Sequence, residues 1–224
     1  MSRATTTPSD RDDRDARVPL PPAFFARPVL EVAPDLLGCV FLFGGVGGRL
    51  VEVEAYRSDD SASHSYRGAT PRNAVMFGQP GNLYVYFTMG RHFCCNVVCQ
   101  PQGQGAAVLL RALEPDQGVA LMTERRGKAD RRELCSGPAK LTQALAIARE
   151  QNGLALGSGG LQVLSRPGLT AEDVEDPAAW SRGAPSIVVT ARIGISSAQE
   201  KPWRFVDAGS PFLSRSLPAA SRPT

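Results

Sequence analysis

The segment Leu50-Val51-Glu52-Val53-Glu54-Ala55-Tyr56 decides how the rest of the chain is read. Its alternation predicts a strand. The two-residue side-chain period of a strand puts Leu50, Glu52, Glu54 and Tyr56 on one face and Val51, Val53 and Ala55 on the other. An antiparallel strand with one wet face produces the same pattern with no function at all, its glutamates serving as surface ion pairs. Two carboxylates beside a phenol also suit a reactive site, and periodicity alone does not choose between them.

Working outward, the neighbouring segments are also strand-like. Residues 39–43 and 49–57 flank Gly44-Gly45-Val46-Gly47-Gly48, which suits a hairpin better than a phosphate loop, since no Lys-Ser/Thr follows and a strand comes next. Upstream, Leu36-Leu37-Gly38 closes a short helix on a glycine cap. Residues 57–79 are polar and aperiodic, long enough for a functional loop. Strands are expected over 83–87, with Tyr84 and Tyr86 on one face, and over 93–99 and 106–113, where Ala107, Leu109 and Arg111 share a face. Helices are expected over 116–125, with Pro115 in the first turn, and over 139–149 behind Pro138. Residues 152–184 look irregular, 186–195 return to strand, and 203–212 suit an edge segment before a frayed tail. With no internal repeat and no linker, the pattern predicts a single mixed domain of the α+β class.

Composition narrows the setting. The 224 residues carry 42% hydrophobic side chains and a formal charge of +3, ordinary for a globular fold. Of 25 basic residues only Lys128, Lys140 and Lys201 are lysine, a bias toward planar bidentate donors that is compatible with a nucleic-acid partner without establishing one. Residues 1–22 alternate Arg and Asp among prolines and are expected to form a disordered leader; residues 23–213 form the domain and 214–224 a tail. No segment approaches the ~18 apolar residues of a membrane span, so a soluble intracellular protein with no membrane association is expected, in the cytoplasm or nucleoid where the host is a bacterium. Five cysteines, an odd number, suit a reducing compartment. Cys94, Cys95 and Cys99, with His92 nearby, match no standard ligand spacing, so the cysteines are expected to be buried core residues, with no metal and no cofactor.

A family resemblance emerges when the motifs are taken together. Val51-Glu52-Val53-Glu54-Ala55-Tyr56, His64-Ser65, Thr70-Pro71-Arg72-Asn73, Met76-Phe77 and Gly81-Asn82-Leu83-Tyr84-Val85-Tyr86 resemble the alkyladenine (3-methyladenine) DNA glycosylases. The match continues through residues 108–115, 133–141 and Arg192-Ile193-Gly194, in order over about 22–213. The resemblance implies a curved, mainly antiparallel sheet with flanking helices and a protruding hairpin that enters the DNA minor groove. It also implies a monomeric, monofunctional enzyme acting on double-stranded DNA that contains damaged purines.

The resemblance carries roles onto particular residues. Glu54 matches the general base that activates water, Arg111 the arginine that helps hold it, and the Ile193 backbone another contact of that water. Tyr56 and Tyr86 match the aromatic residues that sandwich an extruded base, with His64 opposite and Tyr84 close by; a cationic alkylated purine stacks well between such rings. Asn96 matches the asparagine that rejects the guanine amino group, while Ala62 and Leu109 match pocket-lining residues. Because a base inside a duplex is out of reach, it must be flipped and its gap filled. The family wedge is a tyrosine, and here the matching residue is Met89, followed by Arg91, which is placed to meet a phosphate or the opposite strand. 3-Methyladenine is the expected substrate, with 7-methylguanine, hypoxanthine and ethenoadenine left open.

Other features admit two readings each. The run Arg125, Arg126, Lys128, Arg131, Arg132 suits a solvated helix end or a phosphate contact, and Ser136-Gly137-Pro138 at a helix start could offer N–H groups to a phosphate. Lys140 is read as structural or phosphate-facing rather than as a lyase nucleophile. Competing functions are a glycoside hydrolase using Glu52 and Glu54, whose strand spacing of roughly 6.5 to 7 Å would suit inversion, and a lesion-binding module without catalysis.

Overall fold

The computed structural model of the protein describes residues 17–217. Its centre is an eight-stranded antiparallel sheet in the order β3-β4-β5-β2-β1-β6, with β8 paired to the second half of β2 and β7 paired to β8. The strands are β1 (Val40–Phe43), β2 (Val46–Tyr56), β3 (Leu83–Thr88), β4 (His92–Val98), β5 (Ala107–Gln117), β6 (Leu161–Leu164), β7 (Ile187–Thr190) and β8 (Arg204–Asp207). Among the described residues five helices flank the sheet: α1 (Pro22–Phe25), α2 (Val29–Asp35), α3 (Val119–Arg126), α4 (Arg131–Leu134) and α5 (Pro138–Leu145). The α+β expectation holds, and none of the helices described is long and apolar enough to cross a membrane.

The β1–β2 hairpin is tighter than its glycine run suggests. Only Gly44 and Gly45 turn, at φ of 57° and 75°, as a two-residue turn of this hand requires. Gly47 and Gly48 belong to β2 and are small for another reason: a Cβ on Gly48 would lie 1.9 Å from the Glu114 carbonyl oxygen of β5.

Between β2 and β5 the register shifts twice in succession. Leu50 pairs with Leu113 and Glu52 with Ala112, which leaves Val51 extra on β2; Val53 then pairs with Leu110, which leaves Arg111 extra on β5. The paired bulges break the two-residue period at the point where the site is built. Leu50 was expected on the glutamate face, yet it enters the core with Val53 and Ala55, because the bulge at Val51 reverses the alternation. On β5, Leu110 and Leu113 both face the core for the same reason, and Arg111 is freed to face the glutamates.

Several element expectations are corrected. β5 runs on through Gln117, so Pro115 stands in the strand opposite Gly48, and α3 begins only after Gly118, whose φ is 68°. α5 stops at Leu145 because Ala146 adopts a left-handed φ of 55°, four residues short of the expected end at 149. Within 152–184 the chain forms β6, an alternating Leu-Gln-Val-Leu stretch that pairs with β1. β8 is not an edge, since it lies between β2 and β7. Near the ends of the described chain Pro19 bridges Leu164 and Leu20 is buried, while Ser214 and Leu217 pack at the other end. The remainder of the expected leader (1–16) and tail (218–224) lies outside the described residues.

Core packing fixes the orientation of the sheet. One face of β2, β4 and β5 meets Phe24, Phe25, Val29, Val32, Leu141 and Leu145 from the helices, and each fully buried large apolar side chain contributes ~1.5–3 kcal/mol. The opposite face carries Tyr84, Tyr86, Asn96, Leu109 and Arg111, which line a cavity.

Candidate active site

Behind the cavity wall formed by Tyr56, Arg111 and Ile193 lies a buried carboxylate to which all three are tied. Glu54 is fully buried. Its Oε1 accepts the backbone N–H of Ile193 at 2.8 Å and lies 3.2 Å from Arg111 Nη1, while its Oε2 accepts the Tyr56 hydroxyl at 2.8 Å. Burial first, and then the neighbouring charge of Glu54, raise the Tyr56 pKa, so the phenol keeps the proton it donates. The Ile193 amide is held by its neighbour: Arg192 is wholly buried, donates to the Ala55 carbonyl at 3.0 Å, pairs with Asp60 and stacks 4.7 Å over the Tyr56 ring.

Glu52, two residues away, has a different fate. Its Oε1 accepts Arg111 Nε at 2.7 Å, Arg204 Nε at 2.8 Å and the Ser214 hydroxyl at 2.6 Å, and its Oε2 accepts the Ser214 N–H at 2.6 Å. Burial pushes its pKa up, but the hydrogen bond from Arg204, the charges of Arg111 and Arg204 and the Ser214 donor outweigh burial and hold it below the usual carboxylate range. A carboxylate so occupied has no proton to give, which removes the second acid needed by a paired-carboxylate glycoside hydrolase.

The cavity itself measures about 370 Å³. It gathers Tyr56, Ala62, His64, Tyr84, Tyr86, Asn96, Leu109, Arg111, Ile193 and Met89, so ten of the residues singled out by sequence meet at one place, with Glu54 behind them. His64 Nδ1 is 2.9 Å from the Tyr84 hydroxyl, and its ring stands edge-on to Tyr86 at 4.5 Å between centroids. Burial, then the charge of Arg72, lower the His64 pKa and leave the ring neutral at pH 7. Burial pushes Tyr84 up to about 12 against the opposing charge of Arg72. The Asn96 amide donates to the Tyr84 carbonyl at 3.0 Å, which fixes which way its carbonyl faces.

A model of the methylpurine-DNA glycosylase family matches residues 23–211 of this chain. A protein of Rhodopseudomonas palustris strain CGA009, provisionally named 3-methyladenine DNA glycosylase, is 49% identical over 217 residues, covering 97% of this chain and 98% of its own. A relative of the same name from Bradyrhizobium diazoefficiens is 48% identical, covering 89% of this chain and 92% of its own. The chain belongs to the methylpurine-DNA glycosylase family. It is a DNA repair hydrolase, an N-glycosylase that acts on DNA.

At the mouth of the glycosylase cavity stands the β3–β4 hairpin. Thr88 pairs with His92, and Met89-Gly90-Arg91 make the turn, with Met89 in the left-handed region at φ 51° and 84% exposed. Arg91 is exposed beside it and does not line the cavity. The basic run is largely engaged: Arg125 and Arg126 donate to the Ala144 and Leu134 carbonyls, Arg131 to the Pro115 carbonyl, and Lys128 lies 3.6 Å from Glu133. Lys140 Nζ donates to Ser136 Oγ at 3.2 Å and does not reach the cavity. His92 and Cys94 line the cavity, and all five cysteines are free and buried.

Sequence reasoning missed several functional neighbours. Arg204, Ser214, Asp60 and the side chain of Arg192 carry no local signature, because their partners lie 132 to 162 residues away in the chain. Met76, Pro138 and Ala139 also line the cavity, brought there by the 57–79 loop and the start of α5. The motif residues of the resemblance included these three, but nothing in their type announced a lining role.

Proposed function

We propose that the enzyme flips alkylated purines out of duplex DNA and hydrolyses their N-glycosidic bond with a water activated by Glu54, leaving an abasic site. The observation that carries this reading is the buried Glu54 carboxylate behind the aromatic cavity, held by three residues that line it, through the Arg111 guanidinium, the Ile193 N–H and the Tyr56 hydroxyl. A carboxylate has roughly four acceptor positions, and three donors leave one for a water molecule. Glycosidic cleavage builds positive charge on the sugar, so an adjacent carboxylate both takes the water proton and stabilises the cation.

The walls support a preference for cationic purines. Tyr56, Tyr86 and His64 offer ring faces and edges in a space that admits one base, and a neutral His64 adds no repelling charge. 3-Methyladenine, which is already charged, departs with stacking and water activation alone, and relatives bear its name. Asn96 excludes the guanine amino group in this reading, Ala62 and Leu109 limit width, and Met89 fills the gap left in the duplex while Arg91 meets the backbone. The enzyme works as a monomer without lyase chemistry, since Lys140 is spent on Ser136.

Glu54→Gln is the direct test. The variant is expected to bind lesion-containing duplex with wild-type affinity while base release under single-turnover conditions falls to background. Release at the wild-type rate would remove Glu54 from the mechanism.

A further inference from the structure

We propose that Ser214 is a positioning residue for the Glu54 site, acting through Glu52 and Arg111, so that residues 210–217 form a strap that sets the reactive geometry. The inference rests on Glu54 as the water-activating base. Its foundation is a continuous path of short contacts from one end of the domain to that carboxylate. Ser214 gives both its N–H and its hydroxyl to Glu52, each at 2.6 Å. Glu52 holds Arg111 by Nε at 2.7 Å, and Arg111 Nη2 also reaches Ser214 Oγ at 3.3 Å. Only then does Arg111 Nη1 meet Glu54, at the looser distance of 3.2 Å.

The hold on Arg111 is therefore stronger on the Glu52 side than on the Glu54 side. A guanidinium is planar, so the grip on Nε fixes where Nη1 points. Arg111 occupies a bulge, where the strand ladder does not restrain it as it does a paired residue. Glu52, together with Ser214, supplies the restraint that the ladder lacks. The strap is itself anchored to the sheet: the Ser210 N–H donates to the Asp207 carbonyl at 3.1 Å, the Phe212 N–H to Ser210 Oγ at 3.2 Å, and Leu217 is buried.

The proposal separates from simple sealing of the sheet by its pH dependence. The groups facing Glu52 are Arg111 from β5, Arg204 from β8 and Ser214 from the strap, with Glu54 sharing Arg111 on the same strand. Because the Glu52 pKa is depressed, its hold on Arg111 is complete at neutral pH and is lost as pH falls through the folded-state value. Removing the Ser214 hydroxyl takes away one of the donors that depress it. The acid side of the rate profile then moves to higher pH.

The test uses full-length enzyme and dimethyl-sulfate-treated duplex DNA, with free methylated purine measured under single-turnover conditions. Ser214→Ala is expected to slow release about tenfold, the scale of one lost charge-assisted hydrogen bond, to raise the acid limb of the profile, and to leave affinity for a duplex carrying an abasic analogue unchanged. Ser214→Thr, which keeps both donors, restores the rate and the limb. In a Glu52→Gln background Ser214→Ala adds no further loss, as a shared path requires. Wild-type rate and acid limb in Ser214→Ala overturn the proposal. So does a loss that is fully additive with Glu52→Gln, or one that appears as lowered affinity and melting temperature with the limb unmoved. A Glu54→Gln control keeps the two readings apart: if it still releases base, the base assignment fails; if it is inactive while Ser214→Ala is normal, only the strap fails.

Discussion

The buried ion-pair cluster behind the cavity and the tip of the β3–β4 hairpin at its mouth follow opposite rules. In the cluster, Glu52, Glu54, Arg111 and Arg204 are all buried, and every one is tied to at least one partner on another strand. At the tip, Met89 is 84% exposed in a left-handed conformation, and no side-chain hydrogen bond holds Arg91 among the described residues. Charge taken out of water has to be paired and held still, whereas a residue that meets DNA outside the protein gains from being free to adjust. Paired, buried charge is concentrated in the first region, and exposed side chains in the second.

Breaking the first region carries the largest expected cost. Glu52→Ala leaves Arg111 and Arg204 buried without their shared carboxylate, and an uncompensated buried charge costs ~3–5 kcal/mol. Urea unfolding is expected to show that loss, while Arg91→Ala at the hairpin stays within ~0.5 kcal/mol of wild type. A Glu52→Ala loss below ~1 kcal/mol would mean that water enters and solvates the arginines, and the contrast between the regions would fail.

Arg111→Lys sharpens the same contrast with a smaller effect on folding and a clear one on rate. One ammonium cannot span Glu52 and Glu54 as the guanidinium does from Nε and Nη1. Single-turnover release is expected to fall about a hundredfold, the scale of a misplaced reactive group, with little change in duplex affinity. An equal fall in affinity would instead assign Arg111 to DNA binding.

The two regions also differ in how much of them the sequence exposes. Strand alternation in Leu83–Thr88 and His92–Val98 is regular, so the faces of Tyr84, Tyr86 and Asn96 were legible from period alone. On β2 the same rule misplaced Leu50, because the bulge at Val51 leaves no trace in residue type. Pro115 read as a helix start and stands in a strand, where its missing N–H falls beside a register shift opposite Gly48. Glu54, Arg111 and the aromatic walls were singled out by motif order, and the structure brings them together. Arg204, Ser214 and the Asp60–Arg192 pair were not legible, since the carboxylate or guanidinium that gives each its place lies more than 130 residues away.

The hairpin itself offers the smallest and most selective test. Met89 sits at φ 51°, a conformation that costs an ordinary L-residue ~1–2 kcal/mol and glycine almost nothing. Met89→Gly removes that strain, and the greater freedom of glycine in the unfolded chain offsets the gain, so stability is expected to stay within ~0.5 kcal/mol of wild type. The same substitution deletes the side chain proposed to fill the duplex gap. Extrusion then loses its wedge, and base release from duplex is expected to fall roughly tenfold, of the order of a few kcal/mol of unstacking only partly recovered elsewhere. Release of the same lesion from single-stranded DNA, where no stack has to be opened, should stay near wild type, and Met89→Tyr should restore the duplex rate. If Met89→Gly slows both substrates equally, the tip is not a wedge, and its exposed, strained methionine would need a reason other than DNA.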